Sequence, residues 1–258
     1  MNACIIIPAR WGSTRFPGKA LAKIDGKTLI QRVWELAKKV KNAQEVWIAT
    51  DDERIQKHCG EFGAKVVMTN ADCKNGTERV LDAIRRLKFD AKTYINFQGD
   101  AVLTPPYIVE AVIEKMLGDP NAQIATAAFK LSVPQLEHLK KAKANSKTSG
   151  TTVTFDKKGR ALYFSRNIIP SLEGNPNATV YEHIGLYAYT REALEDFMSK
   201  PASALEEAEA LEQLRALENG IAIDVVLVDL KGKTLWAVDT PADVTITEDI
   251  IRREGEIG

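Results

Sequence analysis

Ile5-Ile6-Ile7-Pro8-Ala9-Arg10-Trp11-Gly12-Ser13-Thr14-Arg15-Phe16-Pro17-Gly18-Lys19 passes from an apolar run into a polar loop, and an amphipathic segment follows. Ala3–Ile7 does not alternate, so it reads as a strand buried on both faces. The loop after it carries Arg10, Arg15 and Lys19, two hydroxyls and two glycines. Gly12 and Gly18 let backbone come close to a ligand. Backbone N–H groups can cradle phosphate oxygens, and the three cations add charge at three points. A strand–loop–helix unit of this make-up is suited to a polyanion. A P-loop is excluded by count. It needs four residues between its glycines and a hydroxyl after the lysine, whereas five separate Gly12 from Gly18 and Ala20 follows Lys19.

The rest of the chain is neutral ground around that loop. Its 258 residues suffice for one large α/β domain or a domain with an insertion. Lys plus Arg and Asp plus Glu number 35 each, a net charge of zero. No global field points to nucleic acid or an anionic membrane, so positive potential must be local. Cys4, Cys59 and Cys73 show no metal-like spacing, and the first two read as small core residues. No leader precedes Ile5 and no apolar run is long enough to span a bilayer, so the expected setting is the cytoplasm without membrane insertion.

Strand and helix patterns alternate through the first half. Leu29, Val33, Leu36 and Val40 repeat at helical spacing. Glu45–Thr50 reads as a strand ending at a cap signal, Thr50-Asp51-Asp52. Ile55, Cys59 and Phe62 mark a helix, Lys65–Met68 a strand, and Val80, Leu81, Ile84 and Leu87 another helix. Tyr94–Phe97 is a strand and Pro105–Leu117 a helix. This order predicts an open, mainly parallel sheet with right-handed crossovers. The second half differs. Thr151–Phe155 and Ala161–Ser165 flank a hairpin turn, and 171–179 is a loop. Ile184–Tyr189 is a strand, Ala204–Glu218 a helix, and Ile221–Val228 a strand. Thr240-Pro241 starts a last helix. A smaller, partly antiparallel subdomain is expected at about 130–230, before that helix returns to the main sheet. The Lys140–Lys147 run reads as a solvated loop.

Several motifs carry chemistry. Asn96-Phe97-Gln98-Gly99-Asp100 ends a strand, and ligands of open α/β sheets bind outside carboxyl ends of strands. Asp100 there suits Mg²⁺, or a helix cap. Asp239, in Val238-Asp239-Thr240-Pro241, offers a second carboxylate for metal, or an N-cap. Asn75-Gly76-Thr77-Glu78-Arg79 is a helix start that could also hold a base or ribose. Arg166 ends a strand, His183 stands at the start of another, and Glu212 and Gln213 flank an apolar helical stripe. Each of these is equally compatible with a structural role.

Taken together, the motifs resemble the 3-deoxy-manno-octulosonate cytidylyltransferases, the CMP-Kdo synthetases. The resemblance runs nearly end to end. It rests on PAR-x-x-STR-x-PGK at Pro8–Lys19, GTER at Gly76–Arg79, QGD at Gln98–Asp100 and ALYFSR at Ala161–Arg166. It continues with H-x-G-x-Y at His183–Tyr187, LEQLR at Leu211–Arg215 and VDTP at Val238–Pro241. It implies a single nucleotide-diphospho-sugar transferase domain over 1–258, whose 130–230 portion serves sugar-acid binding and dimerisation. It implies a homodimer in the bacterial cytoplasm that uses Mg²⁺ and CTP to make a CMP-sugar acid for lipopolysaccharide or capsule, releasing pyrophosphate. By the same resemblance Arg10, Ser13, Arg15 and Lys19 hold the triphosphate, and Asn75, Gly76 and Thr77 lie near the cytidine. Lys19, Asp100 and Asp239 are catalytic, the two carboxylates sharing the metal. Gln98, Arg166, His183, Tyr187, Glu212 and Gln213 surround the sugar acid, with Arg166 gripping its carboxylate and His183 donating to a hydroxyl or carboxylate. Three positions depart from the family pattern. Ala101-Val102 replaces Glu-Pro, Glu182 replaces an arginine, and Thr151-Thr152-Val153-Thr154 lacks a lysine. They leave Kdo, an amino-Kdo or a nine-carbon sialic-type acid open as acceptor. A different nucleotide, or a non-catalytic nucleotide-binding relative, are the rival readings.

Overall fold

β1 (Ala3–Ala9) is buried at every residue, as its unbroken apolar run requires. The computed structural model describes residues 2–13, 15–145 and 150–257, so Thr14 of the loop and Ser146-Lys147 of the lysine run lie outside the described residues. A short hairpin, β2 (Lys23–Ile24) and β3 (Lys27–Thr28), leads into α1 (Leu29–Lys38). β4 (Glu45–Thr50), α2 (Glu53–Glu61), β5 (Lys65–Met68), α3 (Gly76–Arg86), β6 (Thr93–Asn96) and α4 (Pro106–Gly118) follow. β1 pairs in parallel with β4 and β6, and β5 lies outside β4. The order β6-β1-β4-β5 puts the first strand at the centre and brings the loops after β1 and β6 out at the same sheet end.

The helices are set by caps as much as by periodicity. The Thr28 hydroxyl accepts from Gln31 N at the start of α1, and Asp52 accepts from Arg54 N and Ile55 N at the start of α2. The Asn75 side chain accepts from Glu78 N at the start of α3. Arg79, almost fully buried on α3, donates to Thr69 Oγ1 at 2.6 Å and to Asp51 Oδ2 at 3.1 Å. It thereby ties the first turn of α3 to the ends of β4 and β5.

The chain forms two units, 1–117 with 231–258, and 118–230. In the second, β7 (Ile124–Lys130), α5 (Val133–Asn145), β8 (Thr152–Phe155) and β9 (Ala161–Ser165) precede β10 (Tyr181–Tyr189). α6 (Arg191–Ser199), α7 (Ala204–Glu209), α8 (Gln213–Glu218) and β11 (Ile223–Leu227) complete it. β7 lies between parallel β11 and antiparallel β10, while β8 runs antiparallel to both β10 and β9. α9 (Pro241–Glu254) belongs to the first unit. The fold is mixed α/β with a mainly parallel open sheet.

Four local expectations change. Ala204–Glu218 is two helices, because Ala210 adopts φ 51° and breaks the run. The strand expected from Ile184 begins at Tyr181, pairing with Lys130 and Val153. β7, rich in alanine, lacks a β-branched signature and was not anticipated; its residues are buried from Ile124 to Phe129. The lysine run is helical through Asn145 instead of a loop. Within it Lys143 turns inward, its ammonium donating to the carbonyls of Gly150 and Arg166. It faces Glu182, whose carboxyl burial pushes up to about 6 against the opposing charge of Lys143. Burial and the Arg166 charge hold the Lys143 ammonium down, Glu182 and Glu209 opposing.

A raised carboxyl pKa means that the folded chain binds the Glu182 proton more tightly than the unfolded chain. The associated stability is therefore full below about 4.5 and is lost as pH rises through about 6. Glu182→Gln should remove this slope. Denaturant unfolding of both proteins at pH 4 and pH 7 should show the stability difference moving in favour of the variant by on the order of 2 kcal/mol. A difference independent of pH would make Glu182 an ordinary carboxylate.

Candidate active site

Gly18 adopts φ 71° and sends the chain into a single 3-10 turn that begins at Lys19. The Lys19 ammonium lies 2.8 Å from Asp100 Oδ2 and 3.4 Å from Asp239 Oδ1. Arg15 reaches Asp239 Oδ1 at 3.1 Å. Three segments distant in sequence thus meet at one point. Asp100 arrives on the turn after β6, and its carbonyl accepts from Val238 N, which joins that turn to the Val238–Pro241 segment. The turn depends on Gly99, since a Cβ there would stand 2.6 Å from Pro8 O. The helix-cap alternative for Asp239 falls away. Thr240 is the N-cap of α9, and Asp243 accepts from the amides of Asp239 and Thr240 and from the Thr240 hydroxyl. Asp239 is left to face cations. Two carboxylates converging on one ammonium suit a hard divalent ion, which takes one or two carboxylates and completes its shell with water and phosphate oxygens.

The start of α3 forms the neighbouring wall. Pro8 Cγ and Gln98 Oε1 lie 3.3 and 3.2 Å from where a Gly76 Cβ would stand, so only glycine fits without displacement. Gln98 Nε2 donates to Asn96 Oδ1 at 2.9 Å, and Asn96 Nδ2 donates to Thr77 Oγ1 at 3.4 Å. Gln98, expected among the sugar-side residues, is thus held against Gly76. Arg10 Nη1 donates to Lys74 O at 3.4 Å and draws the first loop to this helix start. Ser13 N donates to Trp11 O, leaving its position fixed by loop backbone.

The other expected sugar-side residues, Arg166, His183, Tyr187, Glu212 and Gln213, belong to the second unit. Arg166 follows β9 and donates to the carbonyls of Glu209 and Ala210. The Glu209 carboxylate accepts from Arg166 N and from the Ser165 hydroxyl, both at 2.7 Å. His183 corrects the donor role expected of it. The Thr126 hydroxyl has one hydrogen, and Leu186 O lies 2.7 Å away. His183 Nε2, 2.9 Å from the same oxygen, must therefore donate to it. Burial first, then the charge of Arg166, pushes the imidazole pKa down to about 3. A neutral ring with Nε2–H presents a lone pair at Nδ1, an acceptor where a donor was expected. Tyr187 lies against it, ring centroids 5.3 Å apart. Its hydroxyl is shut off from solvent without a properly oriented hydrogen-bond partner among the described residues. Burial, with the charge of Glu212, keeps that phenol protonated. Glu212 pairs with Arg215 at 3.2 Å, and Gln213 is buried beside it.

The departures from the family pattern have local explanations. Val102 is core, 3% exposed. Thr152 is fully buried, its hydroxyl donating to Asn167 O and accepting from Ile169 N. Glu182 is answered by Lys143. Sequence reading missed Thr126, Glu209, Lys143 and Asp243. Only Asp243 left a signal, three residues after the Thr240 cap; the others act across long sequence separations.

Residues 4–224 match the cytidylyltransferase family. The chain is 48% identical, over its full length and that of its relative, to the 3-deoxy-manno-octulosonate cytidylyltransferase of Maricaulis maris. It is 41% identical to the 8-amino-3,8-dideoxy-manno-octulosonate cytidylyltransferase of Shewanella halifaxensis, over 96% of this chain and 98% of that one. A solved structure of CMP:2-keto-3-deoxy-manno-octonic acid synthetase complexed with CTP superposes with a TM-score of 0.88 at 37% identity, covering 98% of this chain and all of that one. A cytidylyltransferase from Leptospira borgpetersenii, at 17% identity and a TM-score of 0.63, shares the fold over 98% of this chain and 87% of its own. A loop of three cations beside two convergent carboxylates, in a chain with these relatives, is nucleotidyltransferase machinery, and the chain belongs to the cytidylyltransferase family.

Proposed function

We propose that this chain uses CTP to activate a 3-deoxy-octulosonate-type sugar acid, giving the CMP-sugar and pyrophosphate. The observation that carries it is the convergence of Lys19, Arg15, Asp100 and Asp239. The sugar's anomeric hydroxyl attacks the α-phosphorus of CTP, the bond from that phosphorus to the α–β bridging oxygen breaks to release pyrophosphate, and the hydroxyl proton passes to solvent. Both reactants are anions, so charge must be neutralised before they can approach. Arg10, Arg15 and Lys19 neutralise the triphosphate, with Ser13 and the loop amides completing the cradle. Asp100 and Asp239 would hold Mg²⁺, which would supply Lewis-acid stabilisation of phosphoryl charge when bound. Asn75, Gly76 and Thr77 receive the nucleoside at the start of α3.

In the second unit Arg166 grips the acid's carboxylate with two bonds. His183 accepts from a sugar hydroxyl, Tyr187 donates to the sugar, and Glu212 and Gln213 take further hydroxyls. The names of the relatives support Kdo or its 8-amino form as the acceptor. The local explanations of Val102, Thr152 and Glu182 speak against loss of the acceptor site. On the same reading the protein is a homodimer in the bacterial cytoplasm, supplying lipopolysaccharide or capsule synthesis. It engages neither nucleic acid nor the membrane interior; among the described residues no helix is long and apolar enough to cross a bilayer.

Asp100→Asn and Asp239→Asn should each lower kcat by roughly a hundredfold or more with the fold intact. Rates measured against magnesium concentration check this, and an unchanged magnesium dependence would remove that residue from the metal site. Arg166→Ala should raise KM for the sugar acid far more than KM for CTP, because it removes binding to one substrate. Arg166→Lys should rescue little, since the paired geometry is lost. Equal effects on both substrates would move Arg166 to the triphosphate. Pyrophosphate release with CTP, ATP and GTP against Kdo, 8-amino-Kdo and the matching neutral aldose tests the whole reading. Equal use of ATP or of the aldose would overturn it.

A further inference from the structure

Trp11 directly follows Arg10 at the entry of the cationic loop. The Arg54 guanidinium lies over the Trp11 ring, 3.4 Å from its centroid. Arg54 is itself held by Asp52, Nε to Oδ1 at 3.0 Å and Nη2 to Oδ2 at 2.6 Å. Asp52 in turn caps α2 through the amides of Arg54 and Ile55. At its other end the indole packs on the loop's exit, where a Gly18 Cβ would stand 3.1 to 3.4 Å from its six-membered ring. The Trp11 carbonyl closes the loop, accepting from Ser13 N at 2.8 Å and Gly18 N at 2.9 Å.

We propose that Trp11, Arg54 and Asp52 form a clasp that preorganises the triphosphate loop, making Trp11 and Arg54 positioning residues for CTP. The argument rests on the reading that residues 10–19 hold the triphosphate. The pairing of Lys19 and Arg15 with Asp100 and Asp239 holds side chains at the far end of the loop, and its entry from Arg10 needs a hold of its own. Among the described residues the Trp11 carbonyl is what closes the loop on itself, and without a clasp the remaining ordering cost falls due when CTP binds. The bidentate Asp52–Arg54 pair fixes the guanidinium in one plane, and a fixed planar cation is a better stacking surface for an indole than a free one. Through Gly18 the stack borders on Lys19, so the conformation it holds is the one in which the ammonium reaches Asp100 and Asp239. Arg54 is more than half exposed and Trp11 half-buried, so their replacement spares the core.

The test is steady-state pyrophosphate release by the full chain, with inorganic tripolyphosphate as a competitive probe lacking base and ribose. Trp11→Leu and Arg54→Ala should each raise KM for CTP and the inhibition constant of tripolyphosphate in parallel, by roughly three- to tenfold. The limiting kcat, KM for the sugar acid and the thermal midpoint should barely move, and Trp11→Phe should restore most of the loss. A rise for CTP without one for tripolyphosphate would overturn the clasp and make Trp11 a stacking partner for the base. A loss with Arg54→Ala but not with Trp11→Leu would overturn it by making Arg54 a direct phosphate ligand. If neither variant changes either constant while Lys19→Ala abolishes turnover, the clasp is wrong and the loop reading stands. If Lys19→Ala also leaves CTP and tripolyphosphate unaffected, the loop reading fails and the clasp fails with it.

Discussion

The Lys19 ammonium meets Asp100, 81 positions away, and Asp239, 220 positions away, within 3.4 Å. Two carboxylates at the end of a parallel sheet would repel one another and would have no reason to share a small volume. A cation between them makes the arrangement stable, and the flanking features serve to deliver it. Gly18 turns the chain so that Lys19 points inward, Gly99 lets the Asp100 turn press against β1, and Asp243 takes the cap of α9 so that Asp239 is free. Two carboxylates brought together in this way are also a chemistry that suits a hard divalent cation.

The central position of β1 follows from its composition and has consequences at the sheet end. A strand buried on both faces must lie between other strands, here β4 and β6. Parallel pairing then brings the loops after β1 and β6 to the same edge. A neutral chain with no overall field thereby concentrates three cations and two carboxylates in one place. Arg79 works beneath this edge. It is a buried cation with two partners, and it fixes the start of α3 relative to β4 and β5.

The second unit solves a different problem, the accommodation of polar side chains in a buried setting. Its polar side chains are committed in a definite direction. Thr126 gives its hydrogen to the strand, which leaves His183 to donate at Nε2 and accept at Nδ1. Tyr187 keeps its proton, burial and the charge of Glu212 both raising its pKa. Glu209 holds the strand end from which Arg166 projects. An acceptor, a donor and a cation thus belong to one unit, the states of His183 and Tyr187 set by their neighbours.

Much of this was legible in the residues themselves. The apolar run, the glycines and cations of the loop, the alternation of helix and strand patterns and the order of the motifs depend on neighbours within a few positions. They determined a mainly parallel α/β fold and named the loop whose cations meet Asp100 and Asp239. Pattern failed where local preference was weak or overridden. Alanine-rich β7 carries little strand propensity, and the Ala210 break depends on a backbone turn that alanine does not advertise. Which carboxylate faces the cation, which nitrogen of His183 carries the hydrogen, why Glu182 is tolerated and what Trp11 stacks upon were decided only in the tertiary structure. Each is a contact between segments far apart in the chain, or a choice between hydrogen-bond partners. Its energy depends on distances that packing sets and that no spacing in the sequence records.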